Sequence, residues 1–146
     1  MDGRIIEAGA RISMPAPWTL APRASRERLS LVAGGAFLSI ARAWMLTNAE
    51  AAALLGMSAS TISRMKRGHR PTLGQDQLTR VAAFVGVFKG LHVLFPAYAA
   101  DDWILKPNAA APFNRRTPLD HMTHGGIPAI VEVRRLIEER RAARAG

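Results

Sequence analysis

The chain has 146 residues, 49% of them hydrophobic and only 6% aromatic, which is enough for one good core or two small ones and too apolar for wholesale disorder. A formal charge of +9 predicts attraction to polyanions, and the absence of cysteine excludes disulfides, thiolate metal sites and cysteine nucleophiles and fits a reducing cytosol. No apolar run approaches the roughly 20 residues needed to span a bilayer, and the first residues, with Asp2, Arg4, Glu7 and Arg11, do not read as a secretory signal.

Charge is unevenly spread. Residues 1–70 carry ten Arg/Lys against four Asp/Glu, and residues 71–146 carry ten against seven, so the polyanion-binding face is expected in the first half. Abundant Ala and few aromatics favour small, closely packed helices over a β-sandwich.

Residues 1–24 hold Pro15, Pro17 and Pro22 among small and polar residues and read as a flexible N-terminal arm, with Trp18 able to dock on the body. Ser25 is a candidate cap for a helix running to about Trp44, with Leu29, Val32, Ala33, Ala36, Phe37, Ile40 and Trp44 as its apolar stripe. Gly34 and Gly35 weaken that helix locally or admit a close crossing by another helix.

Thr47-x-x-Glu50 is a capping box opening a second helix: the hydroxyl bonds the Glu50 amide and the carboxylate reaches back to the Thr47 amide. Gly56 breaks that helix, Ser58 caps a third running to about Arg67, and Gly68 suits the position after its end. Ala51 and Leu55 face inward, Ala52 is small where the helices cross, Met57 closes the turn, and Ile62 and Met65 anchor the second helix of the pair. This is the residue pattern of a helix-turn-helix.

A recognition helix in a major groove presents its outward N-terminal residues to base edges. Here Ser58 caps that helix and Ala59, Ser60, Thr61, Ser63 and Arg64 line its outer side. Arg64 is suited to a forked contact with guanine, while Lys66, Arg67 and Arg70 are better placed for phosphates, which contribute affinity rather than sequence choice. The Thr47 end also offers free helix amides to a phosphate. The same pattern serves as a plain helical corner, and Lys66–Arg70 also reads as a solvated charge run.

After "HRPTLG" a longer helix begins near Gln75, with Leu78, Val81, Ala82, Val85, Phe88, His92 and Phe95 near one face and Pro96 after its end. "AADDWILKPN" predicts one or two helical turns stopped at Pro107. Thr117-Pro118 predicts a short helix to about His124. Gly125-Gly126 separates it from a last helix, with Pro128 near its start, ending around Arg144. No strand pattern and no repeat appears, so the expected fold is all-α.

The second half continues "GLHVLFPAYAADDWILKPNAAAPFNRRTPLDHMTHGGIPAIVEVRRLI". The shared order of Leu94-Phe95, Trp103-Ile104, Pro107-Asn108, Pro118-Leu119-Asp120, Gly125-Gly126-Ile127 and Val133-Arg134 resembles the C-terminal domain of the Xre/MbcA/ParS-type antitoxins. "MSASTISRMKRG" resembles the Xre-like helix-turn-helix that precedes it, so the likeness spans about residues 45–140. It implies an all-α antitoxin, not itself an enzyme and without a cofactor, paired with a RES-type toxin that degrades NAD. In such pairs the C-terminal domain blocks the toxin's active site, and the helix-turn-helix represses the pair's operon. The expected division is an arm over 1–24, a DNA-binding domain over 25–73 and a toxin-binding domain over 74–146. The long arm and the very basic end "RRLIEERRAARAG" depart from the family pattern.

Physical reading of the toxin-facing residues leaves alternatives open. Trp103, in a short Pro-bounded segment, plugs a groove or anchors the core, the latter being the commoner use. Asn108 shapes a turn by bonding nearby backbone. In the last helix Glu132–Arg135, Arg134–Glu138, Arg135–Glu139 and Glu138–Arg141 stand at pairing distance, which describes a self-paired solvated helix. Alternatively the chain end, with Arg140, Arg141, Arg144 and the Gly146 carboxylate, enters the toxin's site.

His121 and His124 beside Asp120 are too few for a catalytic zinc site, and no zinc-protease, nucleophile-elbow or phosphate-loop motif occurs. His92, on an apolar face, reads as a satisfied core group and His69 as part of the basic turn. The expected partners are operator DNA, a RES-domain toxin and a second copy of the chain, since a dimer matches operator symmetry, and no membrane. The runners-up are a stand-alone regulator whose second half only dimerises, and an interaction adaptor with no DNA role.

Overall fold

The computed structural model describes residues 23–145, and all regular structure in them is helical. The six helices are α1 (Arg23–Ala43), α2 (Asn48–Leu55), α3 (Ala59–Lys66), α4 (Gln75–Leu94), α5 (Ala97–Asp102) and α6 (Pro118–Ala145), with a single 3-10 turn at Trp103–Leu105. Residues 23 and 24 of the expected arm open α1; the rest of it, with Trp18, and the Gly146 carboxylate lie outside the described residues.

The starts of α2, α3 and α4 follow from local chemistry, whereas α1 begins at Arg23, so Ser25 lies inside the helix rather than capping it as its residue type suggests. Thr47 Oγ1 accepts the Glu50 N–H at 3.0 Å and Glu50 Oε1 accepts the Thr47 N–H at 2.9 Å, the reciprocal box the spacing predicts. Gly56 ends α2 at φ 76°, ψ 38°, a left-handed conformation that a residue without Cβ adopts at no steric cost. Ser58 Oγ accepts the Thr61 N–H at 3.1 Å and starts α3. At α4, Gln77 Oε1 accepts the Gly74 N–H while its Nε2 donates to Gly56 O, so one side chain ties the start of α4 to the α2–α3 turn.

The end of α1 is less legible. It stops without a glycine: Met45 takes φ 57°, and the Leu46 N–H returns to Ala41 O at 2.9 Å. Ala33, Ala36, Phe37, Ile40 and Trp44 are buried as the stripe predicts, but Val32 is 52% exposed. It belongs with its neighbour Leu31 on the outer side of α1, just past the edge of the stripe, where no other helix among the described residues covers it. Met65 Cε comes close to Gly34, whereas nothing approaches Gly35.

The longest departure from the one-face expectation is α4. Leu78, Val81 and Val85 are buried, but so are Ala83, Phe84, Val87, Gly90, Leu91 and Leu94, whereas Ala82, Phe88, His92 and Phe95 are only half-buried. The helix is wrapped, with α1 on one side and α6 on another. Helices crossing a central helix from two directions bury positions that a single amphipathic stripe leaves outside. Phe84 packs against Phe37 and edge-on to Trp44, and one continuous core runs from Ala33 to Ile137.

α6 closes this core. Its first arm is broken from its second at Gly126 (φ 66°, ψ −154°), so the expected separation of two helices is present as a sharp kink rather than a loop. The second arm lies on the backbone of α4. A Cβ on Gly90 would stand 2.3 Å from Ile137 Cγ2, and one on Gly86 would stand 2.4 Å from Arg134 Nε. Burying Ile130, Val133 and Ile137 there contributes on the order of 1.5–3 kcal/mol per side chain.

Candidate nucleic-acid interface

The α2–α3 pair is held to the core from inside. Ala51, Leu54, Leu55 and Ile62 are fully buried, Met65 and Ala52 nearly so, and Met57 packs partly buried on the cluster. With Ile62 and Met65 fixed inward, the periodicity of α3 turns Ala59, Ser60, Arg64 and Arg67 to solvent, with Thr61 and Ser63 at the flanks. The expected base-facing residues therefore share one surface.

That surface is organised by hydroxyls. Ser58 Oγ lies 3.2 Å from Ser60 Oγ and 2.9 Å from Thr61 Oγ1. Arg64 reaches back along its own helix, Nη1 to Ser60 Oγ at 3.4 Å and Nη2 to Thr61 Oγ1 at 3.2 Å, and Arg67 Nη1 donates to Ser63 Oγ at 2.8 Å. Exposed neutral acceptors compete with water and contribute only about 0.5–1.5 kcal/mol net. Both guanidinium groups are thus parked on hydroxyls they can exchange for base or phosphate oxygens.

The flanking cations are more constrained than their sequence suggests. Lys66 Nζ donates to Asn48 Oδ1 at 2.6 Å, bridging the end of α3 to the start of α2. Arg70 Nη1 donates to Met65 O at 2.8 Å, capping a C-terminal carbonyl of α3, and to His69 O at 3.0 Å just beyond it. Asn48 was not singled out by the sequence: it lies 18 residues from Lys66, and no local pattern connects them.

The described residues expected to face a toxin lie in the 3-10 turn, in the loop after it and along α6. Trp103 is half-buried, edge-on to Phe113 at 5.8 Å between ring centroids. Asn108 Oδ1 accepts the Ala110 N–H at 3.0 Å, the turn-shaping contact the residue type predicts. Arg134 Nε donates to Glu138 Oε2 at 2.9 Å while its side chain lies over Gly86 of α4. Arg144 Nη1 donates to Leu94 O, docking the end of α6 on the end of α4. Arg140 and Arg141 are exposed.

Of the pairs expected along the last helix, Arg134–Glu138 forms. Glu132 turns away from Arg135, its Oε1 lying 2.8 Å from His121 Nε2 across the Gly126 kink. The kink brings the two arms of α6 face to face, a proximity that straight-helix spacing does not anticipate. His124 Nδ1 lies 3.1 Å from Asp120 Oδ1, and His92 Nδ1 lies 2.9 Å from Phe88 O with its Nε2 3.2 Å from Asp101 Oδ1, so these two rings have partners. Among the described residues no three His, Asp or Glu side chains cluster as a metal site would require, and no helix is long and apolar enough to cross a membrane.

No curated protein matches the chain. The arrangement of α1, α2, α3 and the first part of α4 coincides with a known unit: residues 21–86 match the family model of the antitoxin Xre-like helix-turn-helix domain.

Proposed function

We propose that the chain is a non-enzymatic, cytoplasmic antitoxin that neutralises a RES-type, NAD-degrading toxin and represses its own operon as a homodimer on operator DNA. The observation that carries the DNA half is the presentation of α3. Its apolar side is locked into the core by Ile62 and Met65, while Ser60, Arg64 and Arg67 stand outward on a helix of an antitoxin-type domain. Arg64 is the base-reading residue; Ser58, Ala59, Ser60, Thr61 and Ser63 shape the contact, and Lys66 and Arg67 take phosphates.

The toxin half is supported by the resemblance of residues 94–134 to the C-terminal domain of the Xre/MbcA/ParS-type antitoxins. Residues 25–73 act as the reading module and residues 74–146 as the neutralising one. Trp103, Asn108, Arg134, Arg140, Arg141, Arg144 and Gly146 are the toxin-facing candidates. Arg140 and Arg141, exposed near the end of α6, are the two described ones most available to a partner.

Two experiments test the two halves separately. Co-expression with a RES-domain toxin is expected to restore growth and cellular NAD, with Arg140→Ala/Arg141→Ala weakening the rescue; growth arrest undiminished by the intact chain refutes the toxin half. Arg64→Ala is expected to cost about 1–3 kcal/mol against the operator and little against unrelated DNA. An unchanged operator preference in a folded Arg64→Ala protein refutes the DNA half.

A further inference from the structure

The loop between the 3-10 turn and α6 carries Arg115 and Arg116, and it is built as a rigid unit. Phe113 is buried beneath it, in contact with Trp103 and with His121. The Arg115 N–H donates to Asn108 O at 2.7 Å and the Asn108 N–H to Arg116 O at 3.1 Å, so the two arginines sit on a closed backbone ring. Asn114 and Arg115 both take positive φ, 52° and 75°. Left-handed backbone at a residue with a Cβ costs on the order of 1–2 kcal/mol, and it persists where the surroundings over-determine it.

This loop does not project away from the helix-turn-helix. Arg115 and Arg116 line one cleft with Glu50, in the first turn of α2, and with Thr117 and Asp120. Both acids there already have partners: Glu50 holds the Thr47 N–H and Asp120 faces His124. The two arginines are exposed, and their guanidinium groups make no hydrogen bond or ion pair among the described residues. The start of α2 is also the point to which Lys66 of α3 is tied through Asn48.

We infer that the Arg115–Arg116 loop is a second phosphate-contacting element, gripping the backbone of the same duplex whose groove α3 enters. The inference rests on the reading of α3 given above and extends it to a segment outside the helix-turn-helix. With α3 in the groove, the start of α2 faces the flanking sugar-phosphate chain. Two exposed cations on a rigid loop beside it meet the polyanion there without loss of loop entropy on binding. An acidic protein surface is the competing partner for such a pair, and the test separates the two.

The experiment measures binding of the full-length chain, across a salt series, to a duplex from upstream of its own reading frame and to an unrelated duplex of equal length. Arg115→Gln/Arg116→Gln is expected to lower affinity for both by the same factor. It is also expected to make the slope of log K against log salt shallower by about 1.8, two contacts at 0.9 each. Arg116→Gln alone, at a residue without positive φ, is expected to give half that change, so the result does not depend on the backbone at Arg115. Arg135→Gln, at an exposed position of α6, removes the same charge as Arg116→Gln elsewhere and is expected to leave the slope in place. A parental slope in the loop variant, an equal change in the control, or loss of toxin capture with DNA binding intact overturns the inference alone. A parent chain that binds neither duplex removes the reading of α3 and the inference together.

Discussion

Gly90 offers a sharp test of the contact between α4 and α6. Replacing it with alanine has two opposed effects. In a helix interior Ala is favoured over Gly by about 0.8–1.0 kcal/mol. Against this, the added Cβ would stand 2.3 Å from Ile137 Cγ2, well inside the ~3.5 Å at which carbon atoms rest. Ile137 is 1% exposed and its neighbours on α6, Val133 and Ile130, are fully buried, so it has nowhere to move without displacing the helix. Overpacking of this kind costs about 1–3 kcal/mol, so Gly90→Ala is expected to be destabilising by up to about 2 kcal/mol.

The decisive step is to repeat the substitution with Ile137→Leu, which conserves volume but removes the Cγ2 branch. That change alone is expected to cost less than about 1.5 kcal/mol. In its background Gly90→Ala is expected to become stabilising by up to ~1 kcal/mol, as helix propensity is then unopposed. Urea denaturation of the four proteins at a common m-value reads the coupling, expected at about 1–3 kcal/mol. If Gly90→Ala has the same effect in both backgrounds, the backbone-to-side-chain contact between α4 and α6 is not as described.

Three further outcomes are expected. Ser30→Ala removes the buried hydroxyl that donates to Arg26 O and accepts the Leu73 N–H, both at 2.7 Å; the orphaned amide is expected to cost about 1–3 kcal/mol in thermal or urea unfolding, and stability within error of the parent would show that water replaces it. Gly56→Ala forces a Cβ into left-handed backbone and crowds Arg80 and Asp76, so a loss of about 1–2 kcal/mol is expected by the same assay; an unchanged midpoint would mean that the turn relaxes freely. Ser58→Ala removes the cap of α3 and is expected to cost about 1 kcal/mol and to raise amide exchange at Thr61; unaltered exchange there would mean that water caps the helix equally well.

The starts of α2 and α3 and the turn between them were legible because each is made by residues no more than three positions apart. Thr47 and Glu50, or Ser58 and Thr61, meet whenever the backbone between them becomes helical, whatever surrounds them. The kink at Gly126 was legible for the same reason. Ser30 was not: its value lies in Leu73, 43 residues away. The same holds for Glu132, which the sequence paired with Arg135 and the kink delivered to His121.

What the amino-acid order determined by itself was therefore the set of helices, the caps of α2 and α3, and the two side chains, Ile62 and Met65, whose burial turns Arg64 outward. Each of these is set by hydrogen bonds and periodicities that act within one or two turns of chain. Tertiary structure alone decided that α4 is enclosed, that Val32 is left outside, that Arg134 and Arg144 close onto α4, and that Arg115 and Arg116 stand beside the first turn of α2. Those outcomes depend on how α6 bends at Gly126 and packs against α4, and burial, unlike capping, belongs to the assembled molecule.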